Sequence, residues 1–72
     1  MYYIIEIQEP QDGPVGILTY TKETKKTAMS KYHEILMYAE LGSLKRHTAV
    51  VMEGNGKYIA RDCVENYLNE GE

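Results

Sequence analysis

The chain has 72 residues, a net charge of −3 and one cysteine. This length favours one domain over residues 1–72, and a lone cysteine cannot close a disulfide within the chain, which favours a reducing, cytoplasmic compartment. The apolar start Met1–Ile7 lacks the flanks of a signal peptide, and no run approaches the roughly 20 apolar residues that span a bilayer. The mild acidity argues against a general nucleic-acid binder.

The first third of the chain is typical of a β-hairpin. Tyr2–Gln8 is rich in β-branched and aromatic residues, residues 9–14 hold two prolines and other turn formers, and Val15–Thr21 resumes the strand pattern. Alternation along the first strand predicts one face with Tyr3, Ile5 and Ile7 and another with Tyr2, Ile4, Glu6 and Gln8.

An amphipathic helix is predicted next. Thr24, or Thr21 with Glu23 nearby, can cap its start, and we expect Gly42 to end it in the left-handed conformation. The apolar residues that recur at helical spacing are Ala28, Tyr32, Ile35, Leu36 and Ala39.

A second hairpin is predicted after the helix. His47–Glu53 and Lys57–Cys63 have strand composition, and residues 54–56 form a glycine-rich turn between them. A short helical turn over Val64–Leu68 is the alternative for the end of the chain, so residues 62–68 stay open between strand and helix.

The fold class indicated is α+β, with the order β-β-α-β-β and one helix on one face of a four-stranded, mainly antiparallel sheet. We expect Tyr2 and Ile4 on the face that the helix leaves uncovered, where an apolar patch would mark an interface and favour self-association as a homodimer. All seven aromatic residues are tyrosines, which suit the margin of a core or an interface. The partner-binding candidates are Tyr2, Ile4, Tyr20, Tyr38 and Tyr58.

The sequence predicts no catalytic residue, metal site or cofactor. A zinc-protease motif starting at His33 would need a second histidine at position 37, which is Met37. His33, His47 and Cys63 are too few and too scattered for a structural zinc site, and nothing local marks Cys63 as an activated thiol.

A lysine cluster at the start of the helix is the anion-binding candidate. Cations are disfavoured at this positive end of the helix dipole, so the cluster is either a site for phosphate, nucleic acid or an acidic protein, or a solvated face. The net acidic charge favours the solvated interpretation. Its residues are Lys22, Lys25, Lys26 and Lys31.

Three segments, Tyr2–Ile7, Tyr32–Ala39 and His47–Met52, together with Gly56, resemble a group of short uncharacterised bacterial proteins associated with mobile elements or phage. The resemblance implies a small accessory protein that inhibits a host defence or regulates a host process, and it carries no known binding residue.

The function that we expect is therefore that of a non-enzymatic protein-interaction or regulatory module, whose partner is another protein or a second copy. Nucleic-acid binding through the lysines is the first alternative and is not favoured. Small-ligand binding is the second, and no membrane association is expected.

Overall fold

The structure of the protein is a computed structural model that describes residues 1–66. It has the predicted order β-β-α-β-β. The elements are β1 (Tyr2–Glu9), β2 (Gly16–Lys22), α1 (Lys25–Leu41), β3 (Arg46–Glu53) and β4 (Tyr58–Glu65).

The four strands form one sheet in the order β2-β1-β3-β4, with every neighbouring pair antiparallel. This confirms the predicted α+β class and settles the strand order, which the sequence leaves open. Each hairpin contributes one central strand, β1 or β3, and one edge strand, β2 or β4. The two hairpins meet along the β1–β3 ladder, which runs from the pair Tyr2 and Glu53 to the pair Glu9 and Arg46.

Helix α1 packs on one face of the sheet, which we call the covered face; the opposite side is the open face. Ile4 and Val51 are direct cross-strand partners, both have no exposed surface, and they fill the centre of the space below the helix. The buried core cluster consists of Ile4, Ala28, Tyr32, Ile35, Ala49 and Val51.

The prediction that Tyr2 and Ile4 lie on the uncovered face is wrong. Ile4 is a core residue, and Tyr2 packs against the same cluster. Near the start of β1 the side chains of both faces are apolar. The face that contains Ile4 also contains the charged Glu6, so its pattern is that of a face exposed to solvent. The structure instead buries Glu6, which is 7% exposed.

The prediction for the start of helix α1 is confirmed, and the prediction for the conformation at its end is wrong. Thr24 is the N-cap as predicted, and its Oγ1 accepts a hydrogen bond of 3.2 Å from the backbone N–H of Thr27. Gly42 ends the helix, but with φ −89° and ψ −178° it is extended, so the expected left-handed conformation is wrong. Its N–H bonds back to the carbonyl of Ala39, and the chain leaves toward β3. Helix α1, in the part of the chain described, is too short and too polar to cross a membrane.

The second hairpin turns through residues 54–56, as predicted. Gly56 has a φ of +89°, which favours glycine, and its N–H donates to the carbonyl of Glu53 over 2.8 Å. A register shift lies between Val51 and Met52, where the β3–β4 ladder contains a bulge. For residues 62–68 the sequence leaves strand and helix open. Strand β4 continues to Glu65, so residues 62–65 are strand. Positions 67 and 68 fall outside the described residues.

Candidate functional site

The open face of the sheet carries a continuous set of apolar side chains. Residues directly opposite each other on neighbouring strands point to the same face, so the strand register identifies its members. Ile7 lies opposite Ile17, Ile5 opposite Val50, and Met52 between Tyr3 and Tyr58. We call these side chains the apolar patch: Tyr3, Ile5, Ile7, Ile17, Val50, Met52 and Tyr58.

The apolar patch is accessible from solvent. Its members on the edge strands are the most exposed, with Ile17 at 67% and Tyr58 at 56%, and those on the central strands are half-buried among their neighbours. With strands about 4.8 Å apart and same-face residues about 6.8 Å apart, the seven positions of the patch occupy roughly 230 Å² of the sheet. On a domain this small, adjoining exposed apolar side chains of this kind are a candidate interaction site.

One end of the open face is charged. Arg46 lies between two carboxylates on neighbouring strands, with Nη1 3.1 Å from Glu9 Oε2 and Nε 3.1 Å from Glu65 Oε2. These three residues are direct cross-strand partners and continue the rows of the apolar patch. The patch therefore has a polar border at this end, as the rim of a protein interface does.

The predicted partner-binding residues do not form one surface. Ile4 and Tyr2 belong to the covered face, and Tyr20 is half-buried beside Glu6. Tyr38 lies on the helix and is 59% exposed, and Tyr58 is the single candidate that belongs to the apolar patch.

The residues missed by sequence reasoning are the other six members of the patch. For β1 the signal was present in the alternation of Tyr3, Ile5 and Ile7. Assigning that set to the open face required knowing that Glu6 is buried, which depends on partners from other strands.

A buried polar cluster lies on the covered face and joins three strands. Glu6 Oε1 accepts a hydrogen bond of 2.7 Å from the Tyr20 hydroxyl, and Oε2 accepts one of 2.8 Å from Gln8 Nε2. Oε2 also lies 2.6 Å from His47 Nε2, and Glu6 and His47 are only 7% and 6% exposed. An ionised carboxylate only accepts hydrogen bonds, so Nε2 carries the proton and donates it. We call Glu6, Gln8, Tyr20 and His47 the Glu6 cluster.

The Glu6 cluster favours the charged form of its carboxylate. Burial is the largest single influence and by itself raises the pKa of Glu6, but the hydrogen bonds from Gln8, Tyr20 and His47 outweigh it, so the pKa lies below its ordinary value. The same bond raises the pKa of Tyr20, because ionising its hydroxyl would leave two anions in contact. Every oxygen of Glu6 is thus used to hold strands together.

A depression on the surface lies away from the Glu6 cluster. That depression, of about 300 Å³, lies at the other end of the sheet, between the start of β1 and the turn of the second hairpin. The residues that line it are Met1, Tyr2, Glu53, Gly54 and Asn55. The Glu6 and His47 pair is buried, and its hydrogen bonds run to side chains of the sheet.

The four candidate lysines are not equivalent. Lys31 Nζ forms a 2.8 Å ion pair with Glu34 Oε1 and lies 4.2 Å from the centre of the Tyr20 ring. The Glu34 hydrogen bond raises the pKa of Lys31 and offsets its charge. Lys25 and Lys26 lie exposed in the first turn of α1, and Lys22 ends β2. The cluster is therefore reduced to three cations at one end of the molecule.

The other residues considered for metal binding or catalysis, His33 and Cys63, lie apart from each other. Cys63 Sγ accepts a hydrogen bond of 3.4 Å from Thr48 Oγ1, and the His33 ring lies edge-on to Tyr32 with centroids 5.2 Å apart. Within residues 1–66, no three His, Cys, Asp or Glu side chains are grouped so that they could hold a metal ion.

Comparisons of this chain with models of protein families, with curated proteins and with solved structures found no match. Its function is therefore inferred from its own side chains. Among the surfaces described above, the apolar patch joins exposed and half-buried apolar side chains from all four strands.

Proposed function

We propose that this protein is a non-enzymatic interaction module that binds another protein through the apolar patch on its open face. One observation carries the proposal: within residues 1–66 the four-stranded sheet has a helix on one face only, and its other face joins apolar side chains across all four strands. Covering this face removes apolar area from water, which is the main favourable contribution to association.

The patch also indicates what kind of surface it binds. Its centre is aliphatic, with aromatic rings of Tyr3 and Tyr58 toward one end and the Arg46 ion pairs at the other. Tyrosine is enriched in interfaces because its ring packs while its hydroxyl stays hydrated. A complementary partner would present an apolar centre with hydrogen-bonding groups at its margin.

A protein that acts by occupying another protein's surface needs no catalytic group. This mode of action fits an accessory protein of a mobile element that inhibits a host defence or regulates a host process, which is the role implied by the resemblance of its sequence. Nucleic-acid binding through the lysines has less support than protein binding through the patch, because Lys31 forms an ion pair with Glu34.

The test is retention of a partner from a nuclease-treated bacterial lysate by the tagged full chain. We would compare the wild type with the double variant Ile7→Lys, Tyr58→Lys on the open face. The matched control is Met37→Lys, Leu41→Lys, which adds the same charge at helix positions that are 53% and 79% exposed. Circular dichroism checks that both variants are folded.

The proposal predicts that the wild type and the helix control retain the same discrete protein and that the open-face variant loses it. Equal retention by both variants would contradict it, since binding would then not use the apolar patch. Retention that disappears with nuclease would instead assign the binding to nucleic acid.

A further inference from the structure

The two edges of the sheet are built differently. The β4 edge carries three charged residues, Arg61, Asp62 and Glu65, within its eight positions, and the ladder beside it contains a bulge. Charges and bulges on an edge strand hinder its pairing with a further strand. The β4 edge is therefore protected in the way that monomeric sheet proteins protect their edges.

The β2 edge lacks this protection. Its seven residues, Gly16–Lys22, contain one charge at the last position and no proline, and they pair with β1 in continuous register. Ile17 and Leu18 are 67% and 42% exposed. Because β2 is the last strand on its side, it presents a row of backbone groups to which another strand can bond.

We propose that two copies of this protein associate by pairing β2 with β2 in antiparallel orientation across a two-fold axis, which joins their sheets into one of eight strands. This contact uses the backbone edge of β2 and shares only Ile17 with the apolar patch, and the association goes beyond the function proposed above. It is an isologous contact, in which the same strand serves both copies.

The residues of β2 suit a second copy of the same strand. A pairing that uses the full strand is centred on Thr19, which then lies opposite Thr19 of the second copy. Leu18 lies opposite the second copy's Tyr20, an aliphatic and aromatic pair of the kind that stabilises neighbouring strands. The two Lys22 residues fall at opposite ends of the new ladder, about 20 Å apart, so their like charges do not oppose pairing.

The pairing also keeps the faces of the two sheets aligned. In an antiparallel pair centred on one residue, each side chain lies opposite one from the same face of the other strand. Both helices therefore lie on one side of the joined sheet and both apolar patches on the other. The association consequently doubles the open face instead of covering it.

The experiment is sedimentation equilibrium of the untagged full chain over a range of concentrations. The chain has a mass of 8.3 kDa, and we expect the wild type to approach twice that mass as concentration rises. Thr19→Lys and Thr19→Glu each place like charges directly opposite at the two-fold axis, so each variant alone should stay at 8.3 kDa. An equimolar mixture of the two should recover the doubled mass, because lysine then faces glutamate.

Two controls make the result specific. Ser30→Lys adds the same charge as Thr19→Lys at an exposed helix position and should associate as the wild type does. The open-face variant Ile7→Lys, Tyr58→Lys should also keep the doubled mass, which separates this association from partner binding through the patch.

A wild type that stays at 8.3 kDa at every concentration would overturn the proposal. So would a Thr19→Lys variant that associates like the wild type, or a mixture of the two variants that stays monomeric. Loss of the doubled mass in the open-face variant alone would assign self-association to the apolar patch and would equally reject the β2 edge.

Discussion

Glu6 and His47 are 41 residues apart in the chain and are joined by a 2.6 Å hydrogen bond between Oε2 and Nε2 on the covered face. Glu6 belongs to the first hairpin and His47 to the second. Their bond crosses the β1–β3 ladder, the seam along which the two hairpins meet. A fully bonded buried pair of this kind favours the native pairing of the strands, since other pairings would leave a buried charge without partners.

Replacing Glu6 by glutamine should therefore destabilise the fold. Glu6→Gln keeps the shape of the side chain but removes the charge, and it replaces one acceptor oxygen by an amide nitrogen that cannot accept the hydrogen bonds made there. We expect the free energy of unfolding to fall by about 1–3 kcal/mol, the cost of losing charge-assisted bonds at a buried site. Urea denaturation at one fixed protein concentration measures it.

The matched control is Glu34→Gln, which breaks the ion pair with Lys31 on a side chain that is 50% exposed. Exposed pairs contribute about 1 kcal/mol or less, so this variant should lose less stability than Glu6→Gln. If both variants lost the same amount, the Glu6 cluster would be no more important than a surface ion pair.

Stability should depend on pH through the same carboxylate. The folded-state pKa of Glu6 lies below its ordinary value of 4.5, because the three hydrogen bonds outweigh the effect of burial. Its contribution is therefore complete above the unfolded-state pKa and is lost as the pH falls through the lower folded-state pKa. Urea midpoints measured from about pH 5 down to about pH 3 should fall more steeply for the wild type than for Glu6→Gln. Parallel curves would show that other groups govern acid unfolding.

Local patterns in the sequence were sufficient for the elements themselves. The helix follows from apolar residues at helical spacing and from Thr24 as its cap, and the second hairpin follows from the glycines at residues 54–56. These signals are local, because a cap or a tight turn depends on the conformation of a few adjacent residues.

The faces of the sheet could not be derived in the same way. Glu6 is charged, and its position in the interior is favourable only because Tyr20 and His47 approach it from other strands. A pattern within β1 contains no information about these partners. The apolar patch was missed for this reason, and the strand order is likewise a property of pairings between distant segments.

The corrected face assignment can be tested by removing one methylene from alternate residues of β1. Ile4→Val should cost about 0.5–1.5 kcal/mol of unfolding free energy, because Ile4 is fully buried in the core cluster. Ile7→Val should cost less, since Ile7 is half-buried on the open face. Valine is as good a strand former as isoleucine, so the comparison isolates packing. The reverse ranking in urea denaturation would place the helix on the Ile7 face.

A side chain at Gly56 should strain the turn of the second hairpin. Its φ of +89° lies where a residue with a Cβ is strained, although no heavy atom lies within 4 Å of the added carbon. Gly56→Ala should therefore lower the free energy of unfolding by about 1–2 kcal/mol through backbone strain alone. Gly16→Ala is the matched control, because that position is equally open and its φ is not in this region. Thermal or urea unfolding of the two variants at the same concentration decides the question. Equal stability would mean that the turn relaxes to a conformation that alanine accepts, and the hydrogen bond from Gly56 N–H to the carbonyl of Glu53 would not then constrain it.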